Sequence, residues 1–160
     1  MKPINPIMPK QTHNNLIRDI LSDIAVELED EFKRNFERKA FFDKKWKPSP
    51  HGLIDSGDLR ESITGTAHSD HVEISSDAPY AAIHNEGGRI QVTARMKAWA
   101  WHKYKETHKS VYEAIGKMRV GSYIEIPQRQ FIGDHPAVDR AVEEIITENV
   151  DRYLDSLLDQ

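Results

Sequence analysis

Five residues in the middle of the chain, His84-Asn85-Glu86-Gly87-Gly88, put an imidazole, an amide and a carboxylate side by side. Such a group could ligate zinc or move a proton. The H-x-E spacing occurs in zinc deaminases, but there it works with a P-C-x-x-C partner, and this chain has no cysteine. That absence also removes thiolate nucleophiles and disulfides. H-E-x-x-H is missing too. His68 and His71 lie three apart in a predicted hairpin turn rather than on one helix face. With His84 and a carboxylate they would make a metal site, but solvated or hydrogen-bonded histidines are the favoured reading. Ser56 stands in Asp55-Ser56-Gly57-Asp58, not in a G-x-S-x-G elbow. Neither phosphate-binding glycine motif is present, and no pair of carboxylates sits in an apolar setting. The expectation is no catalytic residue, no cofactor and no metal.

A second cluster has a different chemistry. Arg95, Lys97, Lys103 and Lys105 interleave with Trp99, Trp101 and Tyr104. Basic residues with aromatics can hold nucleic acid through phosphates and stacking. The same pattern suits a helix burying Met96, Trp99 and Ala100, or an anchor for another subunit, since Trp, Tyr and Arg are enriched at interface hot spots. Core or interface packing ranks above sequence-specific DNA binding, and contact with DNA phosphates stays open.

Helices and short strands must position these groups. Leu16, Ile17, Ile20, Leu21, Ile24, Leu28, Phe32 and Phe36 recur at spacings of three and four. They predict a long helix from about Thr12 to Phe42, capped by Thr12 or Asn14. Two prolines and a glycine end it in a loop anchored by Trp46, and Asp55 or Ser56 is expected to cap a short helix. Ile63–Ser76 reads as two strands joined by a turn at 67–71. Asp77 and Pro79 should open a helical turn that Gly87 or Gly88 closes. Residues 89–93 predict a third strand, 94–108 a basic helix and 110–118 a further helical piece. A fourth strand follows, stopped by Pro127. Asp134 should cap a last helix with the stripe Val138, Val142, Ile145, Ile146, Val150, Tyr153, Leu154 and Leu157.

Three segments carry a resemblance: Leu53–Thr64, Pro79–Trp101 and Ile126–Pro136. Their matching positions are Ser56, Gly57, Leu59, Ser62 and Ile63; then Tyr80, Ala81, Ile83, His84, Gly87 and Gly88; then Ile126, Pro127, Arg129, Phe131 and Gly133. In order and spacing they resemble the phage virion morphogenesis family, the tail-completion or head–tail connector proteins of tailed phages and Mu-like prophages. The resemblance implies a non-enzymatic neck protein working as a ring of identical subunits, sixfold or twelvefold. The implied partners are its own copies, other head–tail connector and tail proteins and, non-specifically, DNA, with no membrane. The implied location is the virion neck or tail, and the host cytoplasm during assembly. The motif residues take structural roles. Gly57 turns the chain into its short helix. Tyr80 and Ile83 bury against the sheet. Gly87 and Gly88 supply positive φ, and His84 and Glu86 tie the helix end by hydrogen bonds. Arg129 projects from a rigid turn toward a neighbouring subunit's carboxylate, and Phe131 pins that turn to the core.

Composition sets the outer bounds. The chain has 160 residues, 38% hydrophobic and 30% charged, which favours one polar domain. No apolar run approaches the roughly 18 residues that span a bilayer. Prolines at 3, 6 and 9 interrupt the N-terminus, so it reads as an extended arm over residues 1–11 rather than a signal peptide. Residues 12–160 read as a single α+β domain. A small antiparallel sheet of about four strands is packed by long N- and C-terminal helices, with a helical insert at 89–119 between strands. The net charge of −4 argues against a generally basic nucleic-acid binder, yet the charge is uneven. Arg89–Arg119 carries eight Lys or Arg against two acids, and Asp134–Asp159 carries eight acids against two Arg. These are either solvated faces or oppositely charged docking faces.

Overall fold

The computed structural model describes residues 10–48 and 57–159, with side chains from His13 onward. In chain order the elements are α1 (Lys10–Arg38), β1 (Ala40–Phe41), β2 (Lys44–Lys45), α2 (Asp58–Glu61), β3 (Ile63–Ala67) and β4 (Val72–Ser76). There follow α3 (Ala81–Glu86), β5 (Gly88–Gln91), α4 (Ala94–Thr107), α5 (Ser110–Lys117), β6 (Tyr123–Ile126) and α6 (Pro136–Leu158). The α+β class and the long terminal helices are as expected. Most of the expected N-terminal arm, together with Asp55 and Ser56, lies outside the described residues.

The apolar stripe of α1 is its buried face. Ile24, Ala25, Leu28 and Phe32 are buried, and Ile20 and Phe36 pack at the edge of the same cluster. Ile17, near the helix start, stays exposed. The helix stops at Arg38, short of the expected Phe42, because Lys39 takes a left-handed conformation (φ 52°) and reverses the chain. Ala40 and Phe41 then fold back as one strand of a small hairpin with Lys44 and Lys45. The hairpin adds Phe41, Phe42 and Trp46 to an aromatic cluster. Phe32 stacks on Phe41 with centroids 6.5 Å apart, and Phe36 meets Trp46 edge-on at 5.3 Å. Such pairs add about 0.5–1.5 kcal/mol each beyond their buried area.

The single sheet of about four strands is a correction. All four predicted strands form, but as two separate antiparallel hairpins, β3–β4 and β5–β6, beside the small β1–β2 pair. β3 pairs with the next strand in the chain, Ile63 with Ser76 through to Ala67 with Val72, whereas β5 and β6 pair across the two helices between them, Gly88 with Ile126 through to Gln91 with Tyr123. The first hairpin lies against α1. There Gly65 comes so close that a Cβ would collide with the Ala25 carbonyl oxygen. The Gly65 amide donates to Glu29 Oε2 at 2.8 Å, and Lys33 Nζ donates to the other carboxylate oxygen at 2.7 Å.

The second hairpin is the base of the insert, whose body is α4 packed on α5. Thr93 Oγ1 caps α4 by accepting from the Met96 amide at 3.1 Å. Val92, Ala100 and Gly116 are buried. They lie outside the main cluster of Ile24, Leu28, Phe32, Phe41, Ile63, Ala81 and Phe131.

The first half of α6 packs on the main cluster through Val138, Ala141, Val142 and Ile145. Asn149 is buried against α1, its amide donating to Asp23 Oδ2 at 2.9 Å and to the Ile145 carbonyl at 3.0 Å. Four expected caps differ: α1 already runs from Lys10, so Thr12 and Asn14 lie inside it rather than at its N-cap. The α6 N-cap is His135, whose Nδ1 accepts from the Ala137 amide at 3.1 Å, not Asp134. α3 begins only at Ala81, with Tyr80 in the N-cap position and no side-chain cap from Asp77. Gly57, with φ 78°, holds the N-cap position of α2.

Gly65→Ala should lose about 1–3 kcal/mol of stability, the usual cost of forcing an extra carbon into a packed contact, as read by urea unfolding. Gly121→Ala is the comparison. A Cβ there meets nothing within 4 Å, so only its positive φ is strained and the loss should be the smaller of the two.

Candidate functional site

The stretch 126–135 has no regular structure beyond Ile126, yet it runs through the main cluster. A buried backbone of this kind must find partners for its N–H and C=O groups. Four groups supply them. The His84 carbonyl accepts from the Arg129 amide at 2.8 Å. Trp46 Nε1 donates to the Gln130 carbonyl at 2.8 Å. Asn85 Oδ1 accepts from both the Phe131 amide (2.9 Å) and the Ile132 amide (3.1 Å). Asn35 Nδ2 donates to the Phe131 carbonyl at 3.2 Å, while its Oδ1 accepts from the Phe42 amide at 3.0 Å. Asn35 is fully buried. Phe131 is 1% exposed and its ring lies 5.2 Å from that of Phe36.

Glycines permit the approach. Gly87 has φ 75°, and a Cβ there would sit 2.9 Å from the Gln128 amide nitrogen. His135 closes the other end of the loop. Its Nδ1 accepts the α6 cap hydrogen bond, so its Nε2 carries the proton and donates to Asp43 Oδ1 at 3.1 Å, with its ring stacked 4.4 Å from Phe42.

The expected site residues divide accordingly. Pro127 ends β6, Phe131 is the buried pin, Gly87 (φ 75°) and Gly88 (φ 157°) take the positive φ assigned to them, and Gly57 (φ 78°) turns the chain into α2. Leu59 packs against the main cluster. Gly133 has φ 154° and lies against the Gln130 side chain. Tyr80 is a correction: it is 41% exposed, touching only the edge of the His84 ring among the aromatics described, and Ala81 is the buried residue of that turn. Glu86 is exposed. The side chain that ties the helix end is neither His84 nor Glu86 but Asn85, the one member of the trio that had no assigned role. His84 contributes through its backbone carbonyl. Its imidazole is half-buried, and burial first and the adjacent Arg129 charge second hold its pKa below the ordinary value.

No acid–base or nucleophilic constellation is assembled around His84 among the described residues. His68 and His71 do come together with Glu73 at the tip of the β3–β4 hairpin, a grouping that excludes His84. In the insert, Trp99 is 48% exposed and meets Tyr112 edge-on at 5.5 Å. The Trp101 ring lies on Gly116, where a Cβ would fall 2.6 Å from it. Ala100 is the buried residue of α4, so the expected burial of Trp99 is only partial. Arg95 is exposed, and Lys103 is paired with Glu106 at 2.8 Å.

The model of the phage virion morphogenesis family matches residues 5–151, which takes in the clamped loop, the insert and most of both long helices. The chain belongs to this family. No individual curated protein and no solved structure matches it. Membership gives a virion-associated protein with a role in phage morphogenesis. Among the described residues no helix is long and apolar enough to cross a membrane. Of the positions that carry the resemblance, His84, Gly87 and Phe131 meet at the clamp. Gly87 allows the close approach, His84 lends its carbonyl, and Phe131 fills the core between Asn35 and Asn85.

Two predictions follow from the clamp. Asn85→Ala strands the N–H groups of buried Phe131 and half-buried Ile132 and should cost about 1–3 kcal/mol, measured by thermal or urea unfolding, whereas Glu86→Ala should be near neutral. His84 has a folded pKa below its ordinary 6.5. The unfolded chain therefore takes up a proton that the folded chain resists. Its contribution is complete above pH 6.5 and is lost as pH falls toward the folded value. His84→Gln should flatten that decline in a series of melts across the acid range.

Proposed function

We propose that this protein is a non-enzymatic tail-completion or neck subunit whose identical copies form a ring joining head and tail during assembly. The supporting observation is a pair of surfaces with complementary charge and unburied apolar groups. On α6, Ile146, Leu154, Leu157 and Leu158 are exposed, and the same helix and its C-cap carry Glu144, Glu148, Asp151, Asp155 and Asp159. On the insert, Ile90, Trp99, Trp101, Val120 and Tyr123 are exposed, among Arg89, Arg95, Lys97, Lys105 and Arg119. A ring needs two different, mutually complementary patches on each subunit. A basic aromatic patch facing an acidic aliphatic one meets that requirement and sets the register of the contact. In this reading the basic insert serves subunit contact before DNA contact.

Loss of the protein should leave heads and tails unjoined, seen by electron microscopy of lysates. Normal tailed particles without it would overturn the reading. Within the ring, Arg95→Glu with Lys97→Glu should abolish assembly while leaving the melting temperature within a few degrees, because both are surface changes. Adding Asp151→Lys and Asp155→Lys should restore it. Salt-dependent duplex DNA binding that disappears in the Arg95→Glu, Lys97→Glu protein, with assembly intact, would transfer the insert to DNA.

A further inference from the structure

The β3–β4 hairpin turns through Ser69 and Asp70, closed by the His68 amide donating to the His71 carbonyl at 2.8 Å. Residues 68 and 71 therefore face one another across the turn. Glu73 lies two residues beyond His71 on β4, and the period-two alternation of a strand returns it to the same face. The side chains meet there. The two imidazole rings are nearly parallel with centroids 4.4 Å apart. His68 Nε2 stands 3.4 Å from Glu73 Oε2, longer than a well-formed hydrogen bond. One ligand atom from each of the three residues lies within 4.8 Å of the others. Two ligands on a tetrahedral ion with bonds of about 2.0–2.1 Å are separated by about 3.4 Å, so one pair already has that spacing. Small rotations of exposed side chains bring in the third.

Asp70 supplies a second, independent feature. Its Oδ1 lies 2.7 Å from His71 Nδ1, and an ionised carboxylate can only accept, so Nδ1 donates. A carboxylate on one ring nitrogen fixes the tautomer and leaves the other nitrogen's lone pair free, the support that metal-bound histidines commonly have.

We propose that His68, His71 and Glu73 form a surface site for a borderline divalent transition ion such as zinc, nickel or copper, with Asp70 as a positioning residue for His71. Two imidazoles and a carboxylate suit these ions, whereas magnesium and calcium require oxygen-dominated sets. Three protein ligands leave a coordination position for water or for a donor from an abutting molecule. The ion would cross-link the two strands where the hairpin has no further pairing, and an ion that binds only the folded chain raises its melting temperature by mass action.

The test is calorimetric titration of the full, tag-free chain with zinc chloride, alongside melts with zinc and with magnesium. The expected result is about one ion per chain and a melting temperature raised by zinc but not by magnesium. His68→Ala, His71→Ala and Glu73→Gln alter exposed side chains, so each should melt like the parent without zinc yet bind it about tenfold or more weakly. Asp70→Asn should weaken zinc by about 10–100-fold through His71 alone. His102→Ala removes another exposed imidazole beside a carboxylate, Glu106 at 3.1 Å, and should leave binding unchanged. Absence of saturable zinc binding, or binding that survives the combined His68→Ala and His71→Ala change, overturns the site. Unchanged binding in Asp70→Asn overturns the positioning role.

Discussion

An irregular stretch of backbone packs into the core of this protein at Phe131, and the polar groups it buries there need partners away from water. Leaving one buried donor or acceptor unmet costs about 1–3 kcal/mol, a large share of a typical domain's net stability. The chain meets the demand with two asparagines acting as pieces of backbone. Asn85 accepts from consecutive amides at 131 and 132, and Asn35 donates to the carbonyl at 131. An amide side chain carries one acceptor and one donor group, like a peptide unit, so it can complete a loop that neither helix nor sheet could pair. The elements depend on that connection. Asn35 belongs to α1, Asn85 to α3, and Trp46 follows the small hairpin. The loop itself leads into the His135 cap of α6.

What could be read from the sequence was whatever repeats with a regular period or forces a local conformation. The stripe on α1 marks a buried face because spacings of three and four can only line one side of a helix. Val72 and Ile74 mark a strand, and Gly57 and Gly87 mark turns, because alternation and positive φ are local properties. The clamp was hidden for the opposite reason. Asn35 and Asn85 are ordinary polar residues on helices, and their partners lie far along the chain, Asn35 with Phe131 and Asn85 with Phe131 and Ile132. His84 and Glu86 drew attention as titratable groups, while the neutral amide between them carried the structural contact. The signal available in hindsight was that Asn35 falls on the apolar face of α1, between Phe32 and Phe36.

Other misreadings have equally local causes. Four strands could share one sheet or form two hairpins with identical patterns, since alternation says which face is buried and not which strand is the neighbour. The helix end at Arg38 depended on Lys39 accepting a left-handed conformation, which no glycine announced. The stripe of α6 continues to Leu157, but the structure covers it incompletely, with Ile146, Leu154 and Leu157 more than a third exposed. A periodic apolar stripe predicts burial without saying whether the same chain provides the cover.

That distinction bears on how a subunit of a virion could be built. The insert leaves the fold at Gly88 and returns at Ile126, two residues that pair with each other. Immediately before the first is the clamp segment at 84–87, and immediately after the second is the clamped loop. α6 starts directly beyond the same loop. The basic insert and the acidic helix therefore share one rigid junction in the chain. A contact that pulled on either would act on a loop held by asparagine, tryptophan and a buried phenylalanine rather than on a flexible tether. In the proposed ring, a neighbour docking on either would find little conformational entropy left to lose at its root. The clamp thus ties the root of the insert and the start of α6 to one buried loop.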